Sequence, residues 1–408
     1  MAARPDPRRA AEPAPPGGAW PGRRPRVAIL TGLDVRAYRG GEKYAASLGR
    51  ELRSRGVEVR LLSKVDPHEH YRLSLEQLPG TLGLPVEFYR LFWLPGLPPI
   101  PLAPRRLLRA LAWADAIYTM ESTPRFAALI VLLARLLGRR VVVGLHHPTF
   151  AVTLALEVEE PGRRRWGTRL SRVVLRAADV VHVLNAHQAA ALARIGVARN
   201  VVVVGNYASV PPPPLPPSKG VGFEALFVGP LEREQKGIDL LADIARRVLG
   251  ERPEVRLTIV GTGRDVARVE ALVGEFPGRV RYLGFVPEER LTELYAEANA
   301  LWMTSRAEAF PAVALEAFSH GVPVVGFAVP GLEELSAVYP EGRVPPFDAA
   351  AFASTAVALA RLREQDRAAF ERLRERCRAG TAERFDARVQ IPRLAAILAV
   401  PLAPAPPP

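Results

Sequence analysis

From residue 26 onward, short uninterrupted apolar runs alternate with longer segments whose apolar residues recur every three or four positions. Arg26-Val-Ala-Ile-Leu-Thr-Gly reads as a buried first strand. Arg39-Gly40-Gly41-Glu42-Lys43 reads as a Gly-rich turn, and the segment after it as an amphipathic helix with Leu48 and Leu52 inward. Gly56 ends that helix and 57–62 reads as a second strand. Strand, turn, helix and strand make one βαβ unit. Apolar runs at 116–119, 141–145, 180–184 and 201–204 read as further buried strands, with helical patterns between them. Uninterrupted apolar strands alternating with helices imply a parallel sheet covered on both faces.

The run Pro211-Pro-Pro-Pro-Leu-Pro-Pro217 breaks this rhythm, and polyproline acts as a semi-rigid spacer. The same alternation then restarts. Strands are predicted at 225–228, 256–260, 280–283, 300–304 and 323–327, and helices at 238–249, 288–298 and 311–320. The expected organisation is a disordered tail over 1–24, a Rossmann-like domain over 25–210 and a linker over 211–219. A second Rossmann-like domain covers 220–385, a helix at 386–400 returns to the first domain, and 401–408 form a tail. Two doubly wound α/β domains leave a cleft between them, and such sheets bind ligands at the carboxyl ends of their strands. A length of 408 residues at about 150 per domain agrees with two or three domains.

Composition narrows the function classes. Half of the residues are hydrophobic (49%) and 24% are charged, which excludes a mainly disordered chain and a collagen. One cysteine, Cys377, excludes an intrachain disulfide and a cysteine-cluster metal site, and fits a reducing compartment. No apolar leader segment and no run of 18 uncharged apolar residues occurs, so the expected location is cytoplasmic. The net charge of +13 is unevenly spread: residues 26–219 carry +13 and residues 220–408 carry −3. The densest block, 161–176, holds six arginines and no acid. Such a surface attracts phosphate, whether of nucleic acid or of an anionic membrane, though a solvated helix face has the same composition.

The sharpest chemical constellation is Ser305-Arg-Ala-Glu308-Ala-Phe310-Pro311-Ala-Val-Ala-Leu-Glu316-Ala-Phe-Ser-His-Gly321. A strand ends at Thr304, a loop carries Glu308, and a helix opens near Pro311, a favoured first helical residue. Gly321 suits the position just past the helix end. Free N–H groups of Phe310, Ala312 and Val313 at the helix start suit a phosphate. Glu308 and Glu316 can accept hydrogen bonds from sugar hydroxyls. The same residues also fit a capped helix with two exposed glutamates.

This segment resembles the signature of family-4-type retaining glycosyltransferases of the GT-B fold, in which two glutamates eight positions apart frame the donor site. Other elements resemble the family in the expected order. They are the glycine loop 39–43, the strand 178–185, the loop Phe227-Val-Gly229-Pro-Leu-Glu-Arg233-Glu-Gln-Lys236-Gly237, and Gly284-Phe285-Val286-Pro287. The likeness covers about residues 26–400. It implies that Glu316 binds the ribose hydroxyls, that Glu308 contacts the transferred sugar, and that Phe310, Pro311, Ala312 and Val313 hold the diphosphate or sugar. Lys236, one of only four lysines in the chain, and Arg233 would meet the diphosphate charge, with Phe285 and Val286 beside the nucleobase. Gly40 and Gly41 would let the backbone approach the diphosphate or acceptor. His146, with His147 close behind, would face the reacting sugar. His146, Lys236 and Glu308 are thus the expected catalytic residues.

Three departures stand out: Pro230 follows the loop glycine where the family usually has Arg, Ala309 replaces a common Gly, and Asn206-Tyr replaces an Asn-Gly turn. The expected activity is transfer of a sugar from a nucleotide-diphosphate sugar with retention, with no cofactor and no metal, because no Asp-x-Asp motif closes a strand. The acceptor is expected to be a glycan or lipid-linked, with peripheral contact to an anionic membrane, because the apolar segment 91–102 is followed by Arg105, Arg106 and Arg109. An epimerase-like or inactive nucleotide-sugar-binding relative is the second reading. A nucleic-acid-binding protein is the third, and explains the charge but not the ordered motifs.

Overall fold

The computed structural model describes residues 23–32, 34–37, 40–65, 82–92, 100–101, 104–120, 124–146, 165–208 and 222–404. The chain divides into two compact units, Met1–Gly205 with Ala387–Pro408, and Asn206–Asp386. The polyproline linker and His147 lie outside the described residues, as do residues 1–22 of the expected tail.

In unit 1 the strands are β1 (Arg26–Thr31), β2 (Glu58–Lys64) and β3 (Val86–Tyr89), with β4 (Leu91–Phe92) and β5 (Ile100–Pro101) forming a separate antiparallel ribbon. They continue as β6 (Ala116–Met120), β7 (Arg140–Leu145), β8 (Val180–Val183) and β9 (Val201–Val203). Seven of them pair in parallel in the order β3-β2-β1-β6-β7-β8-β9. The helices are α1 (Gly40–Ser54), α2 (Pro104–Trp113), α3 (Pro124–Leu136), α4 (Arg165–Ala177) and α5 (Ala186–Arg194). Strands β6 and β8 are buried throughout and β7 from Val141 onward, as their uninterrupted apolar runs require, whereas β9 is only half-buried. The expectation of a buried strand there is corrected by topology: β9 is the sheet's edge.

The glycine segment is corrected as well. Gly40 and Gly41 open α1 instead of forming a turn before it. Burial of Tyr44, Ala45, Leu48 and Leu52 anchors the helix downstream, and that offsets the cost of about 1 kcal/mol for each glycine in a helix.

Unit 2 holds β10 (Phe223–Val228), β11 (Val255–Val260), β12 (Val280–Tyr282), β13 (Ala300–Met303), β14 (Val324–Phe327) and β15 (Arg343–Val344). All pair in parallel, in the order β12-β11-β10-β13-β14-β15. Its helices are α6 (Arg233–Lys236), α7 (Ile238–Glu251), α8 (Val266–Glu275), α9 (Glu288–Glu297), α10 (Ala312–Ser319), α11 (Pro330–Glu333), α12 (Ala349–Gln365) and α13 (Arg367–Phe385). The last helix, α14 (Ala387–Leu398), belongs to unit 1, where it packs on α1, β6 and β7. Residues 401–404 belong there too, not to a tail, since the Ala403 N–H donates to the Arg55 carbonyl at 2.9 Å.

Both sheets reverse their winding direction once, between β1 and β6 in unit 1 and between β10 and β13 in unit 2. At such a reversal the loops leaving the two neighbouring strands diverge to opposite faces, which opens a crevice at their carboxyl ends.

Candidate active site

The reversal in unit 2 falls between β10 and β13, and the loops after these two strands carry the predicted donor residues. The loop after β10 runs Gly229 to Gly237 and contains the single turn α6. Gly237 takes a left-handed φ of 63°, and a Cβ there would lie 2.2 Å from the Thr304 carbonyl oxygen, so this approach excludes a side chain. The two loops are stitched together. The Thr304 hydroxyl donates to the Lys236 carbonyl at 2.9 Å, and the Arg306 N–H donates to the Gln235 carbonyl at 2.7 Å. The Arg306 guanidinium grips Asp239 at 2.8 and 2.7 Å and the Arg233 carbonyl at 2.6 Å. Hydrogen bonding from Arg306 holds the Asp239 carboxyl below the usual range, against a smaller opposing effect of burial.

Stitching brings Lys236 onto Glu308, with Nζ 2.5 Å from Oε1. Both side chains are largely buried, at 13% and 7% exposure. The Lys236 stem lies over Gly229, where an added methyl would touch Cε at 3.4 Å. Arg233, by contrast, is half-exposed, its guanidinium 3.8 Å from Glu234, while its backbone N–H donates to Asp265 at 2.8 Å.

Glu308, Ala309, Phe310 and Pro311 are buried ahead of α10. Pro311 occupies the cap and not the first helical residue, because the helix starts at Ala312. Ala314 is the first amide donating back, to the Pro311 carbonyl at 3.2 Å, so the Ala312 and Val313 amides precede the helical ladder. Gly321 follows the helix with φ 67°, as its position in the sequence implies. Glu316, half-buried on α10, accepts from the Tyr295 hydroxyl at 2.8 Å. The Tyr295 ring stacks on His320, 5.4 Å centroid to centroid, and His320 Nδ1–H donates to the Glu316 carbonyl at 2.8 Å. Burial, then the Glu316 charge, pushes the Tyr295 hydroxyl well above its ordinary pKa, so it stays a donor. Phe285 and Val286 lie past β12, two strands from β10 along the same carboxyl edge, with the Gly284 carbonyl accepting from Gly261 N–H at 2.8 Å.

In unit 1, Gly40 is exposed and a Cβ there would meet nothing within 4 Å; Gly41 is half-buried. His146 stands just past the end of β7 in a chain of hydrogen bonds that crosses three strands. Tyr118 on β6 has its hydroxyl 2.7 Å from His146 Nε2 and 2.6 Å from His182 Nδ1 on β8. His182 Nε2 is 2.8 Å from the Val204 carbonyl. A carbonyl only accepts, so His182 Nε2 carries the hydrogen. Burial lowers the His182 pKa to about 4, so the ring is neutral and its Nδ1 accepts from Tyr118. The Tyr118 oxygen is then left to accept from His146 Nε2–H, and Nδ1 of His146 is the unprotonated nitrogen. Burial, then His182, holds the His146 pKa well below its ordinary value. Tyr44 of α1 closes over the His146 ring at 4.3 Å. Gly144 makes room for the chain: a Cβ there would lie 2.5 Å from the Tyr118 hydroxyl and 2.9 Å from His146 Nε2.

The structure thus joins Lys236 with Glu308, and places Arg233, Phe310, Pro311, Ala312, Val313 and Glu316 on the loops and helix of the same sheet reversal. Sequence reasoning missed Tyr118, His182, Tyr295, Arg306 and Asp239. Tyr118 and His182 lie within uninterrupted apolar runs of strands buried on both faces, and a polar ring inside such a run was the available signal. Among the described residues, no group of three or more His, Cys, Asp or Glu is arranged to hold a metal ion.

Two parallel Rossmann-like sheets, each reversing once, are the architecture of the GT-B fold. The chain belongs to the glycosyltransferases of this fold: residues 222–361 match the model for glycosyl transferases group 1, and residues 39–207 the glycosyl transferase 4-like domain. It is similar to an uncharacterized glycosyltransferase of Methanocaldococcus jannaschii, 40% identical over 112 residues, 27% of this chain and 28% of that protein. It is also similar to the phosphatidyl-myo-inositol mannosyltransferase of Mycobacterium leprae, 27% identical over 347 residues, 82% of this chain and 87% of that protein. The first two curated relatives are matched over less than a third of their own length. Among solved structures, Anabaena HepE in complex with UDP superposes with a TM-score of 0.70 at 18% identity, covering 92% of this chain and 99% of that one.

Proposed function

We propose that the protein transfers a sugar from a nucleotide-diphosphate sugar to an acceptor hydroxyl, with retention and without a metal. The observation that carries this reading is the buried Lys236–Glu308 pair at 2.5 Å, held at the sheet reversal of unit 2. As the bond from the sugar to the diphosphate breaks, negative charge collects on the leaving oxygens. A preorganised cation, Lys236, meets that charge, helped by Arg233 and the Ala312 and Val313 amides. Glu308 holds Lys236 in place and accepts from sugar hydroxyls, and Glu316, oriented by Tyr295, accepts from the ribose. The acceptor oxygen attacks on the face the leaving group vacates, and its proton passes to the leaving phosphate, so no protein nucleophile is required. His146 is read as the residue that contacts the transferred sugar, through its unprotonated Nδ1. The HepE structure is a complex with UDP, which supports a uridine donor for this chain. The mycobacterial relative is named for an inositol phospholipid acceptor, which supports a lipid-linked acceptor at a membrane surface for this chain.

The test is a thermal-shift screen against UDP, GDP, ADP and TDP sugars, with Glu316→Ala as control. Binding at 100 times Kd adds about 2.7 kcal/mol of stability. One hit that the control loses supports the donor site, and no hit from any nucleotide overturns it. With the donor named, the anomeric configuration of the product reports retention, and activity in excess EDTA reports metal independence.

A further inference from the structure

Helices α2, α3 and α4 cover one face of the unit 1 sheet. Leu107 and Leu111 of α2, Ile130 and Ala134 of α3, and Val174 and Leu175 of α4 share one core with Val141, Val143 and Leu145 of β7. Helix α3 packs against both neighbours. The outward sides of the three helices therefore form one continuous surface.

Two features of that surface are independent of each other. The three helices contain nine arginines and no acidic residue. They also hold five of the nine large hydrophobic side chains exposed among the described residues: Leu108 at 40%, Leu132 at 57%, Leu136 at 74%, Leu170 at 37% and Val173 at 64%. Arg135 and Arg176 are engaged locally, donating to the carbonyls of Ala177 and Gly196, and Arg135 also lies 3.6 Å from the Asp179 carboxylate; Arg139, just past α3, donates to the Ala112 carbonyl. Arg105, Arg109 and Arg169 are exposed and make none of these bonds.

We propose that the outer face of α2, α3 and α4 docks on an anionic lipid surface, with the leucines and valine entering the headgroup boundary and the arginines meeting phosphates. Charge complementarity selects this occupant. A face that carries exposed Arg105, Arg106, Arg109 and Arg169 cannot pair with a second copy of itself without like-charge repulsion. Nucleic acid takes the arginines but gains nothing from five exposed aliphatic side chains, whereas a bilayer rewards both. The proposal deepens the membrane-surface acceptor reading and rests on it. It moves the contact from the 91–102 segment, residues 93–99 of which lie outside the described residues, to these helices.

The test is flotation of the full chain, with neither donor nor acceptor, on vesicles of phosphatidylcholine alone and on vesicles with about a third phosphatidylglycerol, whose surface is negative. Two surface variants are compared: Arg105→Glu/Arg109→Glu/Arg169→Glu, and Leu132→Ser/Leu136→Ser/Val173→Ser. The wild-type chain is expected to float on the anionic vesicles only. Each arginine contributes about fivefold in partition, so the charge variant is expected to lose more than about a hundredfold, and the apolar variant at least about tenfold. Unchanged thermal unfolding shows that the variants fold. No flotation, or equal flotation of wild type and both variants, overturns the proposal. So does a dimer that the variants dissociate, or a salt-sensitive RNA complex in place of flotation. Because no donor or acceptor is present, a chain that floats but transfers no sugar to lipid refutes the acceptor reading alone.

Discussion

The ammonium of Lys236 and the carboxylate of Glu308 sit 2.5 Å apart although 72 residues separate them, because Gly237 and Arg306 fasten their two loops together. A buried pair is costly to break from one side, at about 3–5 kcal/mol, but can be removed from both sides at little cost. Lys236→Met alone and Glu308→Leu alone are each expected to destabilise by about 3 kcal/mol, and the double variant by clearly less than their sum, read by urea unfolding. Transfer is expected to fall by about 10²–10³ for Lys236→Met, as when one preorganised charge-stabilising group is lost. Additive losses would show that the pair is not coupled.

The Tyr118 hydroxyl bonds two histidines at once. Tyr118→Phe leaves His182 Nδ1 and His146 Nε2 without it. The expected destabilisation is about 1–3 kcal/mol. A split in kinetics is expected as well, with kcat falling more than KM changes, because the histidine tautomer is no longer imposed. Fully wild-type kinetics would show that the chain of hydrogen bonds only supports the fold.

Burial holds His182 at a pKa of about 4 and lowers His146 as well, whereas an unfolded histidine titrates near 6.5. The unfolded state therefore takes up protons first as pH falls. Stability from these neutral rings is complete above about pH 6.5 and is lost progressively towards pH 4. Unfolding temperature is expected to drop across that window, and the drop to shrink in His182→Asn. An unchanged slope in the variant would assign the acid loss to carboxylates.

Gly144 faces the Tyr118 hydroxyl so closely that a methyl at that position would overlap it. Gly144→Ala is expected to cost about 1–3 kcal/mol by overpacking. Combined with Tyr118→Phe, which removes the obstructing oxygen, the two losses are expected to be less than additive by thermal unfolding.

Much of the fold is legible along the chain because burial on both faces leaves a local mark. The apolar runs of β6, β7 and β8 sit within a residue of where the pattern places them. The signature 305–321 likewise announces its helix, and Gly321 its end. Where the marks mislead, tertiary context wins. Gly40 and Gly41 read as a turn, yet they enter α1 because the apolar stripe beyond them holds the helix to the sheet.

Two α/β units, the eight-residue spacing of Glu308 and Glu316 and the uneven charge are legible along the chain, since each is written in local periodicity, motif spacing or composition. The partners of those residues are set by how the strands come together. Lys236 with Glu308, Arg306 with Asp239, Tyr295 with Glu316, and His146 with Tyr118 and His182 are pairings made by strand order. Parallel neighbours such as β6 and β7 or β10 and β13 lie side by side in the sheet whatever their separation in the chain. Spacing along the chain carries no record of that adjacency, because it arises from crossover connections that bury both faces of each sheet.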